Sequence, residues 1–354
     1  LFVLFFTEMW ERFSYYGMRA LLILFMTKTI ADGGLGFDDP TAGAVYGLYT
    51  MGVYLLALPG GWLADRLFGL KKSVWYGGII IALGHFMMAV PGIEGWISGV
   101  SEAKTSLSAL DTTSFFMGLL LIVLGTGLLK PNISSIVGQL YPAGSSKRDA
   151  GFSIFYMGIN IGAFLGQFIC PLIGDVKDSG GIRDVHAFKW GFLAASIAMI
   201  LGTAIFFFLK NKYVVTPEGK PIGGLPSGHD AADYEEGESQ KAEFSMASII
   251  KAVLIFAVIF FIFNYFTEGD NVVKTIIYPI IYASGVALAA LILMDSTLTK
   301  VETDRIWVIY IMSFFIIFFW AAFEQAGSSL TFIADNQTDR TFMLGWQMPA
   351  SMVQ

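Results

Sequence analysis

A run of charged side chains lies inside an apolar stretch of the sequence. Glu8, Glu11, Arg12 and Arg19 place four formal charges within residues 1–27, which are otherwise mostly apolar. Each ionised residue at the centre of a membrane-spanning helix costs roughly 2.5–3.5 kcal/mol on insertion scales. A membrane helix keeps such residues when they face one another or a water-filled cavity. This stretch is therefore a candidate site for binding charged solutes and protons.

The spacing of these residues puts them on one side of a helix. At about 100° per residue, Glu8, Arg12, Tyr15 and Arg19 fall within a sector of about 60°, and Glu11 lies just outside it. One stripe therefore carries carboxylates, guanidinium groups and phenols. The alternative is an internal Glu–Arg pair that only orients helices, which explains one pair but not the whole run of polar groups.

Two further polar side chains lie at membrane depth in later apolar stretches. Lys130 precedes Pro131, which donates no backbone hydrogen bond, so we expect a kink and a cavity wall there. Snorkelling to the membrane interface is the alternative for Lys130, although apolar residues continue on both sides of it. Asn160 lies off a face of glycines that repeat every four residues and predict close helix packing. Its amide is a candidate ligand contact, and a bond between helices is the alternative.

A deep carboxyl group follows in a later stretch. Glu324 comes one helical turn after Trp320 and within a long apolar segment. Because a carboxyl group in a low-dielectric environment tends to take up a proton, Glu324 is a candidate proton carrier or a partner for Arg19. A structural hydrogen bond is the alternative.

A charged pair marks the end of the second apolar stretch. Asp65 and Arg66 follow Gly61 in the pattern Gly-x-x-x-Asp-Arg, and basic residues come directly after them. We expect Asp65 to cap a neighbouring helix and so to hold one conformation. An ordinary positively charged anchor at the membrane edge is the alternative.

The elements that position these residues are predicted to be membrane helices. The chain has 354 residues, of which 55% are hydrophobic and 14% charged, and its mean hydropathy is +0.65. Soluble domains carry about 25% charged residues, so we predict an all-α integral membrane protein. Nine apolar runs are long enough to cross about 30 Å of hydrocarbon, and a tenth opens near Phe342. The nine runs cover residues 1–27, 42–64, 74–93, 113–140, 150–174, 188–209, 246–267, 272–295 and 305–334.

The loops predict an orientation and a layout. Lys and Arg are more frequent in the loops after the second, fourth, sixth and eighth spans, which places those loops and the amino terminus in the cytoplasm. We divide the chain into an N-terminal six-helix bundle (1–210), a polar cytoplasmic linker (211–245), an inserted transmembrane hairpin (246–298) and the start of an incomplete C-terminal bundle (299–354). This is the layout of a major-facilitator transporter with two halves, and we expect a truncated chain.

Several other classes of protein are disfavoured by composition. A single cysteine, Cys170, excludes an intramolecular disulfide, and the three histidines are too dispersed to suggest a metal site. A membrane-embedded enzyme would need a nucleophile beside a base, which Cys170 lacks in sequence, so we expect no enzyme and no cofactor. A receptor or scaffold is a further alternative. Nothing indicates a nucleic-acid partner.

Four motifs together resemble one family of transporters. Residues 8–17 read E-x-x-E-R-F-x-Y-Y-G and resemble the signature of the proton-dependent oligopeptide transporters, the POT or PTR family. Residues 155–162 read F-Y-x-x-I-N-x-G and resemble its second signature. Residues 130–132 (K-P-N) and 320–325 (W-x-x-x-E-Q) also match in order and spacing. The hairpin resembles the extra helix pair of bacterial members.

The resemblance implies a proton-coupled symporter that imports di- and tripeptides by alternating access across a bacterial inner membrane. Protons are then the coupling ion, and peptides, protons and the lipid bilayer are the partners. The implied roles are substrate binding for Arg12, Tyr15, Tyr16, Tyr54, Lys130, Asn160 and Trp320, proton coupling for Glu8, Glu11 and Glu324, and gating for Arg19, Glu324, Asp65 and Arg66.

Two departures and one rival accompany the resemblance. Leu70 stands where major facilitators usually carry an arginine. In the second span, no histidine lies between Gly43 and Ala64, so proton coupling would depend on carboxylates. A related carrier of another anionic or zwitterionic solute, such as nitrate or an amino-acid conjugate, could use the same cations. In either case we expect Glu8, Glu11 and Arg12 to face a water-filled channel.

Overall fold

The computed structural model describes residues 1–97, 106–142, 144–177, 183–184, 187–216, 219, 221–224, 245–267, 273–342 and 345–353. The described residues are almost entirely helical. The helices are α1 (Phe2–Thr27), α2 (Asp39–Leu55), α3 (Ala57–Leu63), α4 (Leu70–Ile97), α5 (Ala109–Gln139), α6 (Ser146–Gly174), α7 (Ala187–Tyr213), α8 (Met246–Phe266), α9 (Tyr278–Leu293), α10 (Lys300–Phe323) and α11 (Ser329–Gln337).

Eight helical segments among the described residues are long and apolar enough to cross a membrane. They correspond to the second to ninth predicted spans, with α2, α3 and a π-helical turn (Ala64–Phe68) forming one of them. The first predicted span is α1, whose 26 residues extend about 39 Å. Four charged residues set α1 apart from the eight apolar segments. The predicted all-α integral membrane fold is confirmed.

The chain divides into two compact units. One comprises Leu1–His229 with Glu324–Gln354, and the other comprises Asp230–Phe323. The predicted polar linker (211–245) lies largely outside the described residues. In the second unit, α8 packs against α9, and the Asn264 side chain donates a hydrogen bond of 2.5 Å to the carbonyl of Thr275. None of the residues of α10 is buried.

The central helix of the first unit is α1, which packs along both α6 and α7. The glycine face predicted for α6 forms this contact. A Cβ atom at Gly162 or Gly166 would collide with the α1 carbonyl groups of Met9 and Phe13, and one at Gly158 would lie 3.1 Å from the carbonyl oxygen of Phe5. The absence of side chains on this face therefore lets α1 lie close to α6 and fixes the height of its charged residues.

The proline of α5 permits a second close contact. The helix continues through Pro131 without interruption, but Pro131 cannot donate to the carbonyl of Gly127. Gly60 of α3 packs directly against that carbonyl, where any side chain would clash. The Asn132 side chain then donates to the carbonyl of Gly60 (3.3 Å) and to Leu128 of its own helix (2.7 Å). These contacts hold Lys130 against the second span.

Two predicted boundaries differ from the structure. The span predicted over 305–334 ends as α10 at Phe323, continues as a 3-10 turn over Glu324–Gly327 and restarts as α11. The break coincides with the polar residues of that segment, whose side chains make contacts in the first unit. Residues 338–342 and 345–353 contain a 3-10 turn at Ala350–Met352, and no longer helix starts in them. The apolar segment expected near Phe342 is therefore not helical within these residues.

Candidate functional site

The charged residues of α1 form one cluster. Nε of Arg12 lies 3.0 Å from Oε1 of Glu8, one turn earlier, and also contacts Oε2 of Glu11. The three side chains, which we call the α1 triplet, meet as the helical spacing predicts. Lys130 of α5 interacts electrostatically with all three of them. Two carboxylates and two cations therefore share this part of the first unit.

The α1 triplet is buried and incompletely hydrogen-bonded. The Arg12 side chain is 4% exposed, and both glutamates are at least as deeply buried. One carboxylate oxygen of Glu8, Oε1 of Glu11 and Nη2 of Arg12 have no hydrogen-bond partner among the described residues. The expectation that these groups face open water is wrong for this structure, because α1 is enclosed by its neighbours. Buried charges without partners carry a large free-energy cost, which a bound proton, water or ligand group can reduce.

Aromatic rings cover the triplet on one side. The guanidinium of Arg12 lies 5.2 Å from the ring of Tyr15, which packs edge-on against Tyr16 at 5.1 Å. Tyr15 is buried and also stacks on Tyr49 of α2 at 6.2 Å. Tyr16 is only partly buried. Of the two predicted tyrosines of α1, Tyr16 is therefore the more accessible to a solute.

Lys130 lies at a more accessible edge of the same cluster. Its ammonium group is 4.5 Å from the ring centre of Tyr54, a distance at which a cation is attracted to an aromatic face. Tyr54 is 50% exposed, and Lys130 is partly buried. The structure therefore brings together two of the predicted substrate-binding residues from α5 and α2.

A second ion pair lies further along α1. Nη2 of Arg19 is 2.9 Å from Oε2 of Glu324, and Nε of Arg19 donates a hydrogen bond of 2.6 Å to the hydroxyl of Tyr46. The structure thus contains the contact expected between Arg19 and Glu324, and its gating role stays a prediction. Gly327 ends the same 3-10 turn, and a Cβ atom there would collide with the Tyr46 hydroxyl and lie 2.8 Å from Nε of Arg19. A glycine thus lets the turn close over the pair.

The remaining predicted residues lie elsewhere. Asn160 is exposed, donates 2.9 Å to the carbonyl of Tyr156 and lines a shallow groove of about 550 Å³ on α6. Trp320 is exposed on α10 in the second unit. Asp65 and Arg66 are exposed in the π-helical turn, and neither makes a side-chain hydrogen bond or ion pair with the described residues. The helix cap expected of Asp65 is therefore absent from this part of the chain.

A group that the sequence did not indicate surrounds Asp335 of α11. Its carboxylate contacts Lys28, which follows α1, and lies 3.9 Å from Nζ of Lys177 and 3.6 Å from Nη2 of Arg340. Burial by itself raises the pKa of Asp335. The hydrogen bond and charge of Lys28, with the charges of Lys177 and Arg183, outweigh burial and hold that pKa below its usual value. We call these residues the Asp335 cluster.

A buried ion pair lies beside it. Arg183 and Asp175 contact each other, and the Ser351 hydroxyl donates to the second oxygen of Asp175 at 2.8 Å. Residues of the last described segment are therefore joined to the end of α6.

Two tyrosines of α2 were also missed. Tyr46 and Tyr49 are buried and contact Arg19 and Tyr15 respectively. Tyr49 follows Tyr46 by three residues, and Tyr54 follows Tyr49 by five. These spacings place the three phenols along one broad side of a helix. That spacing was a usable signal, because phenols in an apolar span need polar partners.

Comparison with known proteins identifies the family. The sequence profile of the POT family matches residues 71–224. The chain is 35% identical over 351 residues to the peptide transporter YePEPT of Yersinia enterocolitica, covering 99% of this chain and 62% of that relative. It is 40% identical over 229 residues to a di-/tripeptide transporter of Lactococcus lactis, covering 64% of this chain and 40% of the relative.

A solved structure agrees with these matches. The crystal structure of a peptide transporter POT in complex with sulfate superimposes with a TM-score of 0.68 and 34% sequence identity. The alignment covers 99% of this chain and 64% of that one. The matches to YePEPT and to this crystal structure cover nearly all of this chain but somewhat less than two thirds of each relative. On these similarities the chain belongs to the POT family.

Proposed function

We propose that this chain forms part of a proton-coupled symporter that imports di- and tripeptides by alternating access. The observation that carries the proposal is the α1 triplet with Lys130 beside it, a buried group of two carboxylates and two cations. With all four groups ionised their charges balance. The names of the Yersinia and Lactococcus relatives support peptides as the substrate class.

In this mechanism two cations bind the carboxylate group of the peptide. Arg12 and Lys130 supply positive charge from two helices. Tyr54 lies next to Lys130, and the partly buried Tyr16 interacts electrostatically with Arg12. Guanidinium and ammonium groups form strong charge-assisted hydrogen bonds with carboxylates. Tyr15 lies beside Arg12 in the proposed pocket. Substrate contacts by Asn160 and Trp320 stay predictions from the sequence. A site that holds the termini and the backbone tolerates varied peptide side chains.

Proton binding and peptide binding are linked through Arg12. When Glu8 or Glu11 takes up a proton, the cluster gains one net positive charge and Arg12 loses one of its partners. The free guanidinium then binds a peptide carboxylate. The unpartnered oxygens of both glutamates support this role, because a proton reduces the cost of burying them. Coupling arises because the two ligands favour the same state of the carrier.

The contact between Arg19 and Glu324 acts as a gate in this scheme. Its partners come from α1 and from the turn before α11, and Tyr46 holds the guanidinium in place. A proton on Glu324 would remove the attraction and favour opening. The proposed location is a bacterial inner membrane, with the amino terminus in the cytoplasm.

The test is peptide uptake by the protein reconstituted in liposomes. We expect Glu11→Gln to abolish dialanine uptake driven by an imposed proton gradient, because the substituted side chain cannot release a proton. Exchange of labelled for unlabelled dialanine needs no net proton movement and should continue. Asp149→Asn is the matched control, since Asp149 is an exposed carboxylate at the start of α6.

Two results would contradict the proposal. Gradient-driven uptake by Glu11→Gln at the rate of the unmodified protein would exclude the coupling role of Glu11. Uptake that nitrate or single amino acids inhibit more strongly than di- and tripeptides do would exclude a peptide carrier.

A further inference from the structure

An apolar groove runs along the outside of the first unit, between α4 and α7. It measures about 480 Å³ and lies away from the residues of the α1 triplet. Ile79, Leu83 and Phe86 of α4 and Ile200 of α7 line it and are all exposed. Both helices are long and apolar enough to span the membrane, so the exposed apolar side chains of this face suit contact with lipid. The groove has the chemistry of a site for a hydrocarbon chain.

The length of the groove corresponds to one leaflet. From Trp75 to Phe86 the helix rises about 16 Å, and half of the hydrocarbon core of a bilayer is about 15 Å. Ala82 and Ala204 lie between the larger side chains that line it. These small residues leave space in which an extended acyl chain can lie against the protein along most of its length.

One end of the groove is positively charged. Nζ of Lys210 lies 5.5 Å from the ring centre of Trp75 and 4.2 Å from that of Phe207, and both rings line the groove. Lys71 comes one helical turn before Trp75 and interacts electrostatically with Lys210. Neither lysine forms an ion pair with an acidic side chain of the described residues. Two like charges therefore lie at the mouth of an apolar groove without a counter-ion.

We propose that the groove between α4 and α7 binds one anionic phospholipid, with an acyl chain along Ile79, Leu83 and Phe86 and the phosphate between Lys71 and Lys210. The headgroup supplies the negative charge that the two lysines lack. The indole ring of Trp75 marks the depth at which headgroup and hydrocarbon meet, as amphipathic rings do at membrane interfaces.

The experiment is lipid binding measured by native mass spectrometry on the purified protein in a neutral detergent. Phosphatidylglycerol and phosphatidylcholine with identical chains of 14 carbons are titrated separately. We expect tighter binding of phosphatidylglycerol. A lysine near an anionic headgroup contributes about a factor of five, so the double substitution Lys71→Gln with Lys210→Gln should weaken binding about 25-fold.

Matched controls separate the groove from general attraction. Lys72→Gln also removes one positive charge from the start of α4, but Lys72 points about 100° away from Lys71 around the helix. This substitution should therefore weaken the binding of phosphatidylglycerol less than twofold. Dihexanoyl phosphatidylglycerol, whose chains fill less than half of the groove, should bind at least fivefold more weakly than the long-chain lipid. Glycerophosphoglycerol, the same headgroup without chains, should not bind measurably.

Each of three results would overturn the proposal. Equal binding of the two long-chain lipids would exclude recognition of the anionic headgroup. An effect of Lys72→Gln as large as that of Lys210→Gln would assign the attraction to the whole basic face. Binding of glycerophosphoglycerol as tight as that of the lipid would identify a free phosphate site. The lipid comparisons use the unmodified protein, so they hold even where a variant fails to fold.

Discussion

At the residue scale, hydrogen-bond partners distinguish side chains that look alike in sequence. Tyr46 and Tyr49 are buried phenols of the same helix, separated by less than one turn. Tyr46 accepts a hydrogen bond from Arg19, whereas the hydroxyl of Tyr49 has no partner among the described residues. A buried hydroxyl without a partner costs free energy, and one bonded to a charged group stabilises the fold. The two tyrosines should therefore respond differently to the same substitution.

Removal of these hydroxyls is the corresponding prediction. Tyr46→Phe loses a hydrogen bond to a charged group and should destabilise the protein by about 1.5–3 kcal/mol. Tyr49→Phe keeps the stacking on Tyr15 and removes an unpartnered polar atom, so the stability should stay the same or increase. The measurement is the midpoint of thermal unfolding in detergent without substrate. A larger fall for Tyr49→Phe than for Tyr46→Phe would show that the hydroxyl of Tyr49, and not that of Tyr46, makes the stabilising contact.

At the element scale, short polar segments hold the long helices together. The 3-10 turn before α11 carries Glu324 to Arg19, and α11 itself carries Asp335 to Lys28 at the end of α1. The two contacts differ in their surroundings. Asp335 has three cationic partners and lies outside the membrane-spanning segments. Its lowered pKa means that the Asp335 cluster stays ionised at mildly acidic pH.

The pH dependence of stability follows from the sign of that shift. A carboxylate whose pKa is lowered in the folded state stabilises the protein above its unfolded pKa, about 3.9 for Asp. This stabilisation is lost as the pH falls through the lowered value. Asp335→Asn should therefore lower the unfolding midpoint by the same amount at pH 7 and at pH 5, and the difference from the unmodified protein should shrink below about pH 4.

The control for this experiment is Asp149→Asn, which removes an exposed carboxylate and should change the midpoint little at any pH. A difference between Asp335→Asn and the unmodified protein that disappears between pH 7 and pH 5 would contradict the lowered pKa. It would make the Asp335 cluster a proton-sensitive contact instead.

At the scale of the whole molecule, the spans and their loops determine how the chain lies in the bilayer. The basic loops between the predicted spans predict which span ends face the cytoplasm. Lys72 lies at the start of α4, which is the predicted cytoplasmic end of that span. Asn336 belongs to α11, which lies close to the carboxyl end of α1, the end predicted to be outside the cytoplasm. The two positions should lie on opposite sides of the membrane.

Cysteine labelling tests this orientation. In intact bacterial cells, Asn336→Cys should react with a membrane-impermeant maleimide, whereas Lys72→Cys should react only after permeabilisation, because the reagent cannot cross the bilayer. The unmodified chain is the control, since its single Cys170 is buried and should react slowly in both conditions. Labelling of Lys72→Cys in intact cells would reverse the orientation.

The sequence by itself determined which residues form helices and which charges share a helix face. Apolar length and the repeat of 3.6 residues are local properties, so α1 with its Glu8, Arg12 and Arg19 stripe and the glycine face of α6 could be predicted from spacing alone. The pairing of Arg19 with Glu324 was also within reach, because a buried charge needs a partner of opposite sign.

Only the tertiary structure decided how each charge is surrounded. The closure of the α1 triplet from water, the hydroxyl of Tyr46 on Arg19 and the cations around Asp335 depend on contacts between residues that lie far apart along the chain. Burial and pairing at such distances arise from how helices pack, and no local pattern encodes them. Sequence therefore named most of the polar groups, and packing determined which of them meet.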